Sequence, residues 1–383
     1  MKKKLGDIFE IGSGGTPSKA HPEYYGGDVP WVKTGDLKAE YLYEVEEHIT
    51  EEGLNNSSAK MYEPDTVLIA MYGATIGATS ILKFPACTNQ ACAAFKKSDE
   101  VIPEYLYYFL KSKKERFVSD GVGGAQPNIS AGYLKKVEME IKSISEQEEI
   151  VKILDKVGGV ITFRQQELKS FDDLIKARFV ELFGDPVMNE KGWPTKSLLD
   201  MGQCKNGMNF HYDDEGVEIN CLGVGDFKDL SIIDSTKELP TVSLNEMPSE
   251  EYLLKDDDIV FVRSNGNKAL VGRSIAVYPG DVPTTFSGFC IRYRKHDNEI
   301  IVPYLLRVLK TDSMRMKMAG RGANIQNLNQ QILGTLVIPV PPIELQKQFA
   351  DFVKQVDKSK SVVQKALDET QQLFDSLMQE YFG

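Results

Sequence analysis

Two stretches of this chain, from about Ser145 to Leu182 and from about Leu345 to Tyr381, contain no proline and carry apolar residues at alternating spacings of three and four. That period lines one face of a helix with apolar side chains, so each stretch is predicted to be a single long helix. In the second, Leu345, Phe349, Phe352, Val356, Val363, Ala366, Leu373 and Leu377 fall on an a/d seam interrupted by Ser359 and Thr370, the pattern of a coiled coil. In the first, Ile150, Ile153, Val157, Val160, Leu168, Phe171, Leu174 and Leu182 form a rougher stripe. Gly158 and Gly159 interrupt it, and glycine costs about 1 kcal/mol relative to alanine inside a helix, so a kink or weak point is expected there.

The remaining segments have a different texture. Short β-branched and aromatic runs, such as Thr66 to Met71 and Asp258 to Val262, alternate with glycine and asparagine turns. They read as mixed α/β domains whose strand order the letters do not reveal. Laying the second half over the first shows a repeat. Gln126-Pro-Asn-Ile-Ser matches Ile325-Gln-Asn-Leu-Asn, Ile144-Ser-Glu-Gln-Glu-Glu-Ile matches Ile343-Glu-Leu-Gln-Lys-Gln-Phe, and Phe183-Gly184 matches Phe382-Gly383, all at an offset of 199 positions. Upstream the offset drifts, but Asp65-Thr-Val-Leu-Ile still answers to Asp257-Asp-Ile-Val-Phe and Ile76-Gly-Ala to Val271-Gly-Arg. The expected order is a domain over residues 1–142, a long helix over 143–184, a second domain over 185–342 and a second long helix over 343–383. A helix of about 38 residues rises about 57 Å, enough to act as a ruler. Packed antiparallel, the two helices would hold the domains at opposite ends and turn the repeat into a pseudo-twofold axis.

Composition narrows the function. The net charge of −11 argues against a protein whose whole surface binds polyphosphate. Charge is local, however, and the stretch from Arg292 to Arg321 is rich in arginine and lysine, leaving room for a basic face. No apolar run has the length of a membrane span or the character of a signal peptide, so a cytoplasmic protein with no membrane contact is expected. Five cysteines without a C-x-x-C, and the scattered His21, His48, His211 and His296, suggest no disulfide framework and no metal site. The loops Gly12-Ser-Gly-Gly-Thr-Pro-Ser and Gly121-Val-Gly-Gly-Ala-Gln-Pro-Asn lack the phosphate-loop and dinucleotide signatures and read as turns. Asp185-Pro186 reads as a helix stop.

The opening Leu5-Gly-Asp-Ile-Phe-Glu-Ile-Gly-Ser-Gly-Gly-Thr-Pro-Ser, the block Gln126-Pro-Asn-Ile-Ser, the helix entrance Ile144-Ser-Glu-Gln-Glu-Glu-Ile and its second copy after Pro339-Val-Pro-Pro-Ile-Glu-Leu-Gln resemble the specificity subunits of type I restriction-modification systems. The resemblance covers essentially the whole chain. It implies two target recognition domains, each reading one half of a split sequence in double-stranded DNA, held apart by the helices. It also implies partners: two methyltransferase subunits along the helices, and restriction (translocase) subunits beyond them. Such a chain is non-catalytic and holds no cofactor, with S-adenosylmethionine and ATP/Mg expected on the partner subunits. One departure lies in domain two, where Lys196-Ser-Leu-Leu-Asp-Met-Gly-Gln-Cys lacks the glycine-rich Gly-Gly-Thr-Pro-Ser and leaves the equivalent loop undefined.

Base edges are read by Asn, Gln, Arg and Lys on loops, while phosphate contacts set position. The candidates are Lys33, Thr34, Tyr72, Thr75 and Gln126 in domain one, and Arg263, Asn265, Asn267, Lys268, Arg321 and Asn324 in domain two. Each also has a structural reading, since Asn265-Gly266 is a turn dipeptide and a loop glutamine can serve backbone groups alone. Three other functions fit the same letters: an enzyme with its site between the repeats, a coiled-coil adaptor for proteins only, and the recognition subunit of another bipartite system.

Overall fold

The computed structural model describes residues 1–121, 128–210, 216–227, 232–319 and 327–383. Contacts divide the chain into two units, residues 1–166 with 364–383 and residues 167–363. Each unit therefore holds one α/β domain and part of each long helix.

The first unit builds a five-stranded sheet in the order Ile11–Ser13, Cys92–Phe95, Val67–Ala70, Thr79–Leu82, Tyr41–Leu42. Its pairings are antiparallel except the last, Tyr41–Leu42 with Thr79–Leu82. The second unit repeats the order and the directions with Gly202–Asn206, Cys290–Lys295, Asp258–Val262, Ser274–Val277 and Ile232–Ile233. A smaller sheet accompanies each: His48–Ile49, Tyr25–Val32, Ala86–Thr88 and Met61–Tyr62 in the first unit, and Thr241–Leu244, Val217–Leu222 and Thr284–Phe286 in the second. Even backbone strain is duplicated. Asp65 and Asp257 both hold φ of 68°, and Gly77 and Gly272 both hold 78°. A left-handed aspartate is uncommon, so its recurrence before the same strand marks a conserved turn geometry between the copies.

The long helices span Ile144–Phe183 and Ile343–Phe382. In the first unit Ile150, Val151 and Leu154 share a core with Phe374, Met378 and Phe382, so the start of one helix lies against the end of the other. The second unit mirrors this with Ile175, Phe179 and Phe183 against Phe349 and Val356. Within each unit the helix pair is antiparallel, and the mixed α/β class and duplication expected from the letters are borne out. The helix is continuous through Gly158 and Gly159, where Thr162 adds a side-chain bond to the Gly158 carbonyl at 3.1 Å. One expectation needs correction, the seam: Val160, Leu174 and Leu373 are exposed at 42, 47 and 51%, while Ile175 and Phe374 are buried. Each helix must satisfy a domain as well as a partner helix, so its buried stripe is wider than an a/d seam and turned from it.

A pair of buried glutamines ties helix to domain. Gln147, fully buried, accepts from Ile102 N at 3.0 Å and donates to the carbonyls of Glu100 and Lys142 at 2.8 and 2.9 Å. Gln346 does the same, accepting from Ile301 N at 3.0 Å and donating to Glu299 and Pro341 at 2.8 Å each. The first long helix ends at Gly184, with φ of 74°, as a left-handed C-terminal glycine allows. Asp185 then accepts the amides of Val187 and Met188 at 2.8 and 3.0 Å, so its part is structural.

Candidate nucleic-acid interface

In domain one, three chain segments leave their strands side by side. Tyr25–Val32 and Ala86–Thr88 run parallel, so Lys33 follows the first just as Asn89 follows the second. Asn89 N donates to the Val32 carbonyl at 2.9 Å, and Met71 N donates to the Ala91 carbonyl at 2.8 Å. The Asn89–Ala91 loop thus joins the Lys33 turn to the Tyr72 turn. Ile129 N donates to the Met71 carbonyl at 3.0 Å, and Asn128 bridges Tyr72, bringing the Asn128-Ile-Ser part of the repeated block to the same place. Gln126 itself lies outside the described residues.

The candidate side chains there differ in availability. Tyr72 is 42% exposed, and the Thr75 hydroxyl donates to the Tyr72 carbonyl at 3.2 Å across the short turn Gly73–Thr75. Lys33 is paired with Glu47 and lies 6.0 Å from the Trp31 ring, so a phosphate would have to displace a carboxylate to claim it. Thr34 opens the turn Thr34–Asp36, which the Asp36 carboxylate closes by accepting from Lys33 N at 2.7 Å. The loop Gly12-Ser-Gly-Gly-Thr-Pro-Ser packs against the same cluster: Gly15 N donates to Thr88 O at 2.9 Å, and the Trp31 indole donates to Gly15 O at 3.0 Å. Its glycines are needed for close approach, because a Cβ on Gly14 would stand 1.8 Å from the Thr88 carbonyl oxygen.

Domain two repeats this arrangement with other side chains. Arg263 takes the place of Met71: its N–H donates to Phe289 O at 2.7 Å, and its carbonyl accepts from Leu328 N at 2.9 Å. Its guanidinium Nη1 donates to Gly288 O at 3.3 Å. The link from Arg263 to Val271 is longer than that from Met71 to Ile76, and it carries Asn265, Asn267 and Lys268. The Asn265 oxygen accepts from Asn267 N at 2.7 Å and the Asn267 oxygen from Ala269 N at 3.1 Å, so both asparagines shape the turn. Lys268 opens the short turn Lys268–Leu270. Arg321 and Asn324 lie outside the described residues. The loop that lacked a glycine-rich match resolves at Gly207, where a Cβ would be 2.1 Å from Ser287 O, much as at Gly14.

Sequence reasoning missed the central loops, Asn89 to Ala91 and Ser287 to Phe289. Gln90 contacts Thr16, and Phe289 is 61% exposed. Their signal was the matched block Ala86-Cys-Thr-Asn-Gln-Ala-Cys and Thr284-Thr-Phe-Ser-Gly-Phe-Cys, equal in length and each ending in a buried cysteine. Burial pushes the thiols of Cys87 and Cys92 up to about 12, which removes them as nucleophiles.

The basic stretch is not a single face. Arg292 is 2% exposed, with Nε and Nη1 unpartnered among the described residues, and burial pulls its pKa down. Arg294 is spent on the fully buried Asp258, with both contacts at 2.7 Å, and Arg315 donates to Val271 O at 3.1 Å. Alternation along the strand Cys290–Lys295 turns the arginines at 292 and 294 to one side of the sheet, which a charge count cannot register. Among the described residues no cluster of His, Cys, Asp and Glu could hold a metal ion.

Each domain is thus a mixed α/β body that gathers polar and aromatic loops at the ends of its strands and is latched to long helices, duplicated in one chain. Solved structures share that fold over the full chain. One is the crystal structure of a type I restriction-modification system S subunit from M. genitalium, at 17% identity, a TM-score of 0.55 and 96% of that chain. Another, at 15% identity, a TM-score of 0.65 and 97% coverage, comes from a study of complex assembly and conformational transition of the type I R-M system. The family model for the type I restriction modification DNA specificity domain matches residues 1–170 and 190–370, and the chain belongs to that family. It is 33% identical over 227 residues to the type I restriction enzyme MjaIX specificity subunit of Methanocaldococcus jannaschii, covering 54% of this chain and 52% of that protein. It is 25% identical over 350 residues to the StySPI specificity subunit of Salmonella potsdam, covering 83% and 74%. The match to the M. jannaschii protein thus spans about half of that relative's length.

Proposed function

We propose that this chain is the non-catalytic, DNA-reading subunit of a type I restriction-modification enzyme. Each domain reads one half of a bipartite double-stranded target through the loops at its strand ends, and the helices carry two methyltransferase subunits. Restriction subunits join through these. S-adenosylmethionine and ATP/Mg act on the partner chains, and the assembly works on the genome in the cytoplasm; no helix among the described residues is long and apolar enough to cross a membrane.

One observation carries the reading: four of the apolar side chains left exposed on the helices, including the two most exposed, form duplicated pairs. Phe163 and Leu373 are exposed at 68 and 51% in the first unit, and Val362 and Leu174 at 69 and 47% in the second. The pairs 163/362 and 174/373 share the offset of 199, so each unit offers one member of these pairs from each helix. Exposed large apolar side chains at equivalent places are what two identical docked partners require. Differing loop chemistry, Met71 and Tyr72 against Arg263 and Asn265, is what two unlike half-sites require. The test replaces residues 1–142 with the corresponding domain of another specificity subunit and maps methylated adenines in the host. One half-site should change and the other persist; loss or change of both refutes the division of labour.

A further inference from the structure

The first unit contains a cavity of about 1020 Å³ between its α/β domain and the two helices, beside Gly158 and Gly159. Glu40, Asp155 and Asp375 line it, with Tyr107, Tyr108 and Phe374 as aromatic walls. The Glu40 Oε1 atom is buried and has no hydrogen-bond partner among the described residues, while the carboxylate as a whole interacts with the Tyr41 hydroxyl. Burial, and beyond it the nearby Asp155 carboxylate, raise the Glu40 pKa. Asp155 accepts the Tyr108 hydroxyl at 2.7 Å. The cavity has cations of its own in Lys111, Lys113 and Lys114, and Lys111 is near enough to Glu40 for the two charges to act on each other. Lys111 Nζ lies 5.5 Å from the Tyr107 ring and 5.6 Å from the Phe374 ring, and among the described residues no ion pair joins it to Glu40 or Asp155. Lys113 donates to the Phe382 carbonyl.

The second unit has different chemistry at several matched positions. At the offset of 199, Asp155 answers to Lys354, Asp375 to Lys176, Tyr108 to Arg307, and Gly158-Gly159 to Asp357-Lys358. Where the first unit sets Asp155, Asp375 and two glycines among its lysines, the second carries Lys354, Lys176 and the full side chains of Asp357 and Lys358. Two identical partners therefore meet two different docking faces.

We propose that the cavity of the first unit is a receptor for a cationic side chain, arginine or lysine, projecting from the methyltransferase subunit docked on that unit, and that the second unit has no counterpart. A buried carboxylate oxygen without a partner is costly, and a cation delivered into an aromatic-walled site recovers that cost through a charge-assisted bond. The occupant comes from the docked partner because the cavity rim continues into its face: Thr162 and Gln371 line the cavity, one and two residues from the exposed Phe163 and Leu373.

This rests on the proposed docking of methyltransferase subunits, and the test separates the two. Full-length chain is titrated with its methyltransferase subunit in two backgrounds, Val362→Asp, which blocks the face of the second unit, and Phe163→Asp, which blocks that of the first. Adding Glu40→Gln should weaken binding at least about tenfold in the Val362→Asp background, flatten its salt dependence, and change nothing in the Phe163→Asp background. Asp375→Asn should act in the same direction. The melting midpoint of Glu40→Gln should hold or rise, since the charge on a group with one orphaned buried oxygen is removed and the amide can still meet Tyr41; a purely structural role would lower it. Equal affinity with and without Glu40→Gln overturns the receptor alone, as does an equal loss in both backgrounds. If the unmodified chain takes up no methyltransferase subunit, the reading of function falls with it.

Discussion

Replacing Gln147 with leucine removes an acceptor from Ile102 N and two donors, to the carbonyls of Glu100 and Lys142, at a site with no solvent exposure. Leucine fills much of the same volume, so the change acts through polar groups and leaves little cavity. Each backbone group left buried and unpaired costs about 1–3 kcal/mol. With three orphaned, and water reaching those nearest the helix start, the loss is about 3–5 kcal/mol. That is a large share of the stability of a domain, typically about 5–15 kcal/mol. The effect should be local, because Gln147 belongs to the first unit and Gln346 performs the same task in the second. Hydrogen exchange reads it directly: in Gln147→Leu the Ile102 amide should exchange about 100- to 3,000-fold faster, at about 1.4 kcal/mol per tenfold, while the Ile301 amide keeps its protection. Gln346→Leu should reverse the pattern. A loss below about 1 kcal/mol by denaturant unfolding, or equal effects on both amides, would refute the account of paired latches.

Two further outcomes follow from the same geometry. Gly14→Ala and Gly207→Ala place a methyl group 1.8 and 2.1 Å from the carbonyl oxygens of Thr88 and Ser287, and each should lower the melting midpoint through an overpacking cost of about 1–3 kcal/mol; unchanged midpoints would show that these loops relax freely. Inserting one heptad between Glu167 and Leu168 and another between Ala366 and Leu367 adds about 10.5 Å of helix rise. The gap between half-sites should then lengthen by about three base pairs with the half-sites unchanged, and methylation mapping that finds the original gap would refute a helical spacer.

The helices and the repeat were legible because both are written at short range. A 3.6-residue period needs only neighbours, and Gln147 and Gln346 stand at one offset inside matching letters. Sheet order was not legible, since strands of two to eight residues pair across long separations and Tyr41–Leu42 finds its parallel partner Thr79–Leu82 only in three dimensions. The exact buried stripe escaped for a related reason: Phe374 rather than Leu373 is covered because the domain, not only the other helix, selects the face. Of the candidate contacts, the Tyr72 and Arg263 loops could be named from residue type. The Asn89 and Ser287 loops that support them could not, because their role lies in backbone bonds. Nor could composition reveal that Arg294 is consumed by a buried aspartate.

The account stands or falls on two reading heads sharing one duplex. The chain, assembled with its methyltransferase subunits, should be offered a library of randomised double-stranded DNA, and the bound fraction sequenced. Two short motifs separated by a gap of fixed length and free sequence are predicted, one of them lost when the loop from Arg263 to Lys268 is replaced. A single uninterrupted motif, or no enrichment at all, would contradict it.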